Sequence, residues 1–515
     1  MHSTFHERLQ ALSLSHANST ALIEPDRQTT YTQLTATSGR LAGHLHARGL
    51  RAGDRVALWL PNGLEWLQCF LACAQLGATA LSVNTRFRSH EVQDVIERGQ
   101  ASWLIYWPEF KGIAFNEILA DIPADVLAKL KGSLTHAQIQ ALCETPIESP
   151  PAHGDHGTLT FTTSGTTSLP KFVLHTQNTI LRHAEAVAAT LGYDSQSRVL
   201  ASAPFCGAFG FATLASGLFN GHAVVCEPVS TAQSLRDLIR NHRVTHTYAN
   251  NALILQVLQS STSPGDFKSC QLFGFASFAP AMNALFDLAK QHNITLSGLY
   301  GSSEMQALLA IQPVDPAQGD TSVQFEPGGQ ITHPSGRVRA RDPESGHLVA
   351  LGESGELEIL CPSHMSAYMD QPEATRKAFT EDGYFKTGDL GWCVSDRQFV
   401  FQARMGDSLR LAGFLVNPSE IEQVIESLPG ISACQVVAAN LGDKPVPVAF
   451  VTLTESTAAN AQDWYSACKR RLAGFKVPAH FEVLESFPTV ESANSVKIQK
   501  HRLREMAQDI LNDKQ

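Results

Sequence analysis

The chain has 515 residues, more than one hydrophobic core can serve, so about two or three domains are expected. Hydrophobic residues make up 43% and charged residues 17%, a balance that excludes global disorder. A formal net charge of −10 argues against a nucleic-acid binder, which needs a basic footprint, but leaves room for an anionic small molecule met by local positive groups.

The N-terminal stretch MHSTFHERLQ lacks the basic-then-apolar profile of a signal peptide. RVALWL at 55–60 predicts a strand. PNGLEWLQCFLACAQLG follows, with Leu64, Leu67, Leu71 and Ala74 on one helical face and Gly77 at the stop. ATALSV predicts a strand, SHEVQDVIERG a short helix ending at Gly99, and ASWLIY another strand. This alternation predicts an α/β architecture. The most apolar region, Val56 to Val83, is broken by Pro61, Asn62, Gly63, Glu65 and Gly77, so no membrane span is expected. Residues 144–157, ETPIESPPAHGDHG, read as a polar loop. The ten cysteines are scattered, with no CxxC pair and no HExxH motif, and Cys69 and Cys73 fall inside the helical pattern as core residues. Neither a disulfide framework nor a zinc site is expected, and a cytoplasmic location is.

A second unit is expected after Arg404. The segment RMGDSLRLAGF mixes charge with glycines and suits a joint. NPSEIEQVIESLPG then predicts a helix, capped by Asn417, with Pro418 at its first position, Glu420 completing a capping box, and an apolar stripe of Ile421, Val424, Ile425 and Leu428. CQVVAAN and VPVAFVTL predict strands. The expected organisation is a large multi-sheet α/β domain over residues 1–404 and a small, mobile α+β lid over 405–515.

Before that joint stands FTTSGTTSLPKF, residues 161–172, in which six of the seven residues from Thr162 to Ser168 carry a hydroxyl. GTLTFTTSG predicts a strand running into a glycine turn, whose N–H groups could nest an anion. Hydroxyl donors and the Lys171 ammonium suit a polyphosphate, although the Walker A spacing GxxxxGK[ST] is absent. The same residues also suit a solvated linker.

TSGTTSLPK (163–171) resembles the signature loop of the ANL superfamily of adenylate-forming enzymes, which contains acyl-CoA synthetases, luciferases and amino-acid adenylation domains. The resemblance continues in order through LYGSSE (299–304), GELEIL (355–360), YFKTGDLG (384–391), ARMGDSLRLAGFLVNPSEIE (403–422) and NSVKIQKHRLR (494–504). Each stretch also reads chemically. Tyr300 offers a plate for adenine and Ser303 a phosphate donor, while Glu304 is an oxygen ligand suited to Mg²⁺; the alternative is a serine-capped helix start with Glu304 on the dipole. Asp389 can accept both hydroxyls of a ribose or serve as a turn aspartate. Arg404, which the resemblance places near the same ribose, otherwise reads as a surface arginine, and Lys497 as a charge in a basic tail.

The resemblance implies an ATP- and Mg²⁺-dependent acid–thiol ligase. A carboxylate attacks the α-phosphorus of ATP to give acyl-AMP and pyrophosphate, and the thiol of coenzyme A then takes the acyl group. Lys497, Glu304 and Lys171 would be catalytic. Thr163, Ser164, Gly165, Thr166, Thr167, Tyr300, Gly301, Ser302, Ser303, Asp389 and Arg404 would bind ATP or AMP, and Glu304 with Thr163 the metal. Gly406 and Asp407 would form the hinge. Phe205, Phe209, Asn250, Asn251, Phe275, Ser277 and Met305 would line the acyl pocket. APFCGAFGF (203–211) lacks the acidic residue with which amino-acid-activating relatives hold an α-amine, so a fatty or aromatic acid is expected. Lys476 resembles a lid position near the thiol cofactor and equally reads as a surface lysine.

The chain departs from the superfamily pattern at Ser168 and Phe172 around the loop, Gly207, the hinge position Gly406, Ala412, and Val496 before the lysine. Phe172 is expected to pack beneath the loop, and Gly406 to loosen the hinge. No fused carrier domain is expected, which favours coenzyme A as acceptor. The alternatives are an acyl-AMP ligase loading a separate acyl-carrier protein and, from another class, a non-catalytic nucleotide sensor. The protein is expected as a monomer or homodimer.

Overall fold

The structure is a computed structural model that describes residues 4–163, 171–276, 282–312, 327–406, 409–411, 414–416, 418–442, 444–454, 461–472, 474–491 and 496–513. Within them the chain divides into two compact units. The first takes the described residues up to 163, 171–337 and 360–385, and the second takes 338–359 and those from 386 onward. This division differs from the expected domains 1–404 and 405–515, because compactness gathers 338–359 and 386–404 with the later residues.

The strands and helices expected at the start of the chain form as Arg55–Trp59, Leu64–Gln75, Thr79–Ser82, Ser89–Arg98 and Trp103–Tyr106. Such strands pair in parallel because each intervening helix returns the chain to the same sheet end. One sheet of the first unit runs, in spatial order, Gly157–Thr162, Thr79–Ser82, Arg55–Trp59, Trp103–Tyr106 and Gly132–Thr135, all parallel. Phe172–Thr176 and Ala367–Tyr368 add to its edge in antiparallel sense. In a second run Leu296–Ser302, Leu272–Ala276, His246–Asn250, Arg198–Leu200, Ala223–Val225 and Thr20–Glu24 lie parallel, and Gln306–Ile311 folds back antiparallel on the first of these.

A strand with both faces covered must be apolar on both. Val56, Ala57, Leu58 and Trp59 are fully buried, shared between two hydrophobic clusters on opposite faces. The helix Leu64–Gln75 departs from the one-faced pattern: all its residues are buried, including Glu65, Gln68 and Gln75. These three polar side chains each find a partner, as burial demands. Glu65 meets the Arg27 guanidinium at 2.9 Å, Gln68 donates to Thr37 Oγ1 at 2.8 Å, and Gln75 donates to Ser149 Oγ and the Pro150 carbonyl. Burial pushes the Glu65 carboxyl up, but Arg27 and Gln140 outweigh it and hold it below the usual carboxylate range. Ser149 and Pro150 belong to the expected polar loop, which therefore covers a helix. Cys69 and Cys73 are core, as expected, and all ten cysteines are free thiols.

The second unit contains the hairpin Ile431–Leu441/Lys444–Leu453 with His480–Val483 parallel beside it. The helix Pro418–Glu426 packs on this sheet through Ile421 and Ile425; its expected cap, Asn417, lies outside the described residues. Lys500–Asn512 covers the sheet with Leu503, Ala507 and Leu511. Together the two units give a mixed α/β molecule with a large multi-sheet part and a smaller α+β part. No described helix is long and apolar enough to cross a membrane.

Gly210 shows how closely the first unit is packed. A Cβ built there would overlap the carbonyl oxygens of Ala203 and Pro204, which are backbone and cannot swing aside. Gly210→Ala should therefore destabilise the protein by about 1–3 kcal/mol, read as a lowered urea midpoint; an unchanged midpoint would contradict this packing.

Candidate active site

The hydroxyl-rich loop springs from a hairpin. Gly157–Thr162 pairs with Phe172–Thr176, Thr162 opposite Phe172. One step further Thr163 N donates to the Lys171 carbonyl at 3.0 Å and Lys171 N donates to Thr163 Oγ1 at 3.1 Å. This reciprocal pair closes the neck; Ser164, Gly165, Thr166, Thr167 and Ser168 lie outside the described residues. Phe172 is buried in the core with the Arg98 guanidinium 5.3 Å from its ring centre; the loop it was expected to pack beneath lies outside the described residues.

The LYGSSE segment is not a helix start. Leu296–Ser302 and Gln306–Ile311 form a hairpin, and Ser303, Glu304 and Met305 make its turn. Glycine is required at 301, because a Cβ would come within 2.6 Å of the Gln306 carbonyl and 2.7 Å of Ala307 Cα. Gln306 and Leu308 hold positive φ angles of 63° and 67°, a conformation costly for side-chained residues. Surrounding groups over-determine the turn. His175 Nε2 donates to the Ser303 carbonyl at 2.8 Å and His183 Nε2 to the Ala307 carbonyl at 2.7 Å. Gln306 Nε2 donates to the carbonyls of Thr179 and Ser363, Met365 N donates to the Glu304 carbonyl at 2.6 Å, and Met305 N to Ser302 Oγ at 3.3 Å. Tyr300 and Glu304 are left half-buried at the sheet end.

Two charges meet across one tyrosine. The Lys171 ammonium lies 4.4 Å from the Tyr368 ring centre, and the Tyr368 hydroxyl donates to Glu304 Oε1 at 3.0 Å. His175, His183, Gln306 and Tyr368 escaped the sequence reading, since none stands in a motif or beside a compositional signal.

The second unit carries its own constellation. Asp389, in Phe385–Cys393, is the direct cross-strand neighbour of Arg404, in Gln398–Arg404. Arg404 Nε lies 3.1 Å from Asp389 Oδ1, and its Nη1 donates to the Thr387 carbonyl at 2.9 Å. Gly388 between them has φ of 68°, which glycine adopts without strain. Lys497 sits in the strand Val496–Ile498, opposite Val490. Gly406 is exposed and its carbonyl accepts from Arg504, while Asp407 and Ala412 lie outside the described residues.

The acyl-pocket candidates gather at the carboxyl ends of parallel strands, where α/β sheets bind ligands. Asn250 ends one strand, opposite Ala276 on the next, and its Oδ1 accepts from Leu253 N at 2.8 Å as a helix cap. Phe209 is half-buried against Tyr248 and Leu308. Phe205 is fully buried edge-on to Trp66, Phe275 is buried against Phe286, and Met305 and Asn251 are also buried. Ser277 lies outside the described residues.

A family model described as "AMP-binding enzyme" matches residues 10–369, and a second, "AMP-binding enzyme C-terminal domain", matches 420–494. The chain belongs to the AMP-binding enzymes, the ANL superfamily of adenylate-forming proteins. It is 28% identical to the 2-succinylbenzoate–CoA ligase of Bacillus subtilis, over 91% of this chain and 92% of that one. It is also 28% identical to the long-chain-fatty-acid–CoA ligase FadD13 of Mycobacterium tuberculosis, over 94% and 95%. Among solved structures, the o-succinylbenzoate coenzyme A synthetase of Bacillus subtilis in complex with AMP superposes with a TM-score of 0.81 at 25% identity, covering 96% of this chain and 98% of that one.

CoA ligases of this AMP-binding family use ATP, Mg²⁺ and coenzyme A. The residues of the first unit fit the metal. Mg²⁺ takes one or two protein oxygens together with substrate phosphates. Glu304 supplies a carboxylate engaged through Oε1 by a neutral hydroxyl, and Thr163 Oγ1 keeps a second lone pair beyond the one taken by Lys171 N.

The imidazoles that pin the turn make it acid-sensitive. Burial lowers His175 and His183 to about 4, although the carbonyls of Ser303 and Ala307 pull the other way. Their Nδ1 atoms are buried without a hydrogen-bond partner among the described residues, so a proton there would be a buried charge lacking an acceptor. Each ring binds a proton in the unfolded chain from about pH 6.5 down, but in the folded one only near pH 4. Stability is thus fully present above pH 6.5 and is lost as pH falls toward 4, at up to about 1.4 kcal/mol per pH unit for each ring. Urea unfolding across that window should show a shallower slope for His183→Gln than for the parent; identical slopes would refute the assignment.

Proposed function

We propose that this AMP-binding enzyme is an acid–CoA ligase acting on an organic acid with a fatty or aromatic body. It joins the acid to AMP with release of pyrophosphate, then passes the acyl group to the thiol of coenzyme A with release of AMP and the thiol proton. The observation that carries the reading is the placement of Lys171, at the neck of the hydroxyl-rich loop, and Glu304, a cation and a carboxylate on the two ends of the Tyr368 side chain. The relatives that match over nearly the whole chain bear the names of CoA ligases, in agreement.

Two anions must approach for the first step, so positive charge is the chief requirement. Lys171 attracts the phosphates that leave, and Lys497 neutralises the reacting oxygens. Mg²⁺ held by Glu304 and Thr163 would supply further neutralisation of phosphate charge. The loop residues Ser164, Gly165, Thr166 and Thr167, with Gly301, Ser302 and Ser303, donate to the phosphates, while Tyr300 stacks on adenine. Asp389 accepts the ribose hydroxyls, and Arg404 holds that carboxylate in place from the facing strand. Phe209, Asn250 and their neighbours at the strand ends receive the acid.

For the second step the thiol needs a path, which rotation of residues 405–515 about the segment from Arg404 to Asp407 would open. Gly406, which meets open space around its Cβ position, can absorb that change. All ten cysteines are free thiols, nearly all buried, which supports a reducing, cytoplasmic location.

Acid-dependent exchange of labelled pyrophosphate into ATP, screened over aliphatic, aromatic and hydroxylated acids, tests the first step. Exchange with none of them would favour a nucleotide sensor. Thioester formed on an added carrier protein but never on coenzyme A would replace the acceptor. Lys497→Ala should slow adenylation about 10²–10³-fold yet leave thioester formation from supplied acyl-AMP largely intact; equal loss in both steps would assign the lysine another role.

A further inference from the structure

Tyr368 stands outside every motif of the superfamily noted above, between GELEIL and YFKTGDLG. Its strand, Ala367–Tyr368, lies on the sheet edge beside Phe172–Thr176, with Tyr368 opposite Val173. That register brings its ring to Lys171, just before the paired strand. Its main chain is fastened on both sides: Ser366 N donates to the Leu174 carbonyl, Met369 N to the Phe172 carbonyl, and Tyr368 N to Thr375 Oγ1 at 2.9 Å. The same segment reaches Glu304 twice, through Met365 N to its carbonyl and through the Tyr368 hydroxyl to its carboxylate. The residue is 6% exposed, so its side chain has little freedom to turn away.

We propose that Tyr368 is the positioning residue that keeps the lysine and the carboxylate apart and ready for the nucleotide. This rests on the reading of Lys171 as the phosphate cation and Glu304 as the metal carboxylate. Without a spacer, an ammonium and a carboxylate on neighbouring elements collapse into an ion pair, and each then neutralises the charge the other needs to offer. The tyrosine gives them different ends of one side chain. The ammonium rests on the ring face, an attraction that a phosphate can outbid. The carboxylate takes the neutral hydroxyl, which orients it without cancelling its charge. The role assigned to the tyrosine runs through Lys171 and Glu304.

Tyr368→Phe and Tyr368→Leu separate the two contacts, because phenylalanine keeps the ring and loses the hydroxyl while leucine loses both. Calorimetric titration of the intact protein with ATP, with and without Mg²⁺, should show the Mg²⁺ enhancement of ATP binding reduced about tenfold in Tyr368→Phe, with metal-free ATP affinity and thermal midpoint close to the parent. Pyrophosphate exchange should show the same rise in the Mg²⁺ required, with kcat restored at saturating Mg²⁺. Tyr368→Leu should add a loss of several-fold in metal-free ATP affinity. In a Glu304→Gln background the phenylalanine substitution should have no further effect on Mg²⁺.

Parent-like Mg²⁺ dependence in Tyr368→Phe, alongside impaired Glu304→Gln, would overturn the proposal and leave the site reading intact. A lowered thermal midpoint without any change in the Mg²⁺ titration would reduce Tyr368 to a structural residue and overturn it too. Should Glu304→Gln and Lys171→Met both bind ATP and Mg²⁺ like the parent, the site reading itself falls, and the proposal with it.

Discussion

The first unit depends on one tight turn, Ser303–Glu304–Met305, held against its own backbone preference. Two residues beside it sit in the left-handed region without being glycine, a cost of about 1–3 kcal/mol each. The turn persists because groups from three separate segments grip it. Two buried imidazoles hold the carbonyls of Ser303 and Ala307, a glutamine side chain spans to Thr179 and Ser363, and Met365 N binds the Glu304 carbonyl. The Glu304 carboxylate therefore stands on a fixed backbone, as the metal role proposed for it would require. The strain and the buried polar atoms around the turn are the cost of that rigidity.

Burial of polar groups recurs through the first unit, and several instances tie elements distant in sequence. Glu65, Gln68 and Gln75 sit on a helix with no solvent face and reach Arg27, Thr37 and the 149–150 loop. The loop that looks like a linker by composition seals this helix. Apolar packing supplies the driving force for such a core, while the hydrogen-bonded polar groups restrict which neighbours each helix accepts. The histidines have the opposite chemistry to the carboxylates: Arg27 helps Glu65 stay charged, whereas burial keeps His175 and His183 neutral.

The second unit solves a simpler problem with a sheet register. Asp389 and Arg404 belong to adjacent strands and face each other because the pairing runs antiparallel between them. The guanidinium, 3.1 Å from the carboxylate, fixes its orientation for the ribose-binding role proposed above. The glycine preceding Asp389 lets the strand bend in the left-handed region without strain, and the main-chain N–H of Asp389 is fastened to Thr387 Oγ1.

Local pattern alone determined much of this protein. The alternation of short apolar runs with helix-period segments foretold the α/β class, and five strands and helices from Arg55 to Tyr106 form where the pattern puts them. The ordered motifs pointed to the superfamily and to Lys171, Glu304, Asp389 and Arg404, since each is a chemically apt residue in a recognisable local frame. Tertiary structure decided the rest. Tyr368 carries no local signal, and its place between a cation and a carboxylate exists only through the pairing of residue 368 with residue 173. His175 and His183 acquire meaning only once a hairpin more than a hundred residues away is laid against them. LYGSSE by itself suits a serine-capped helix start, because six residues cannot reveal which strand will pair with them; long-range hydrogen bonds, absent from any local window, made it a hairpin turn.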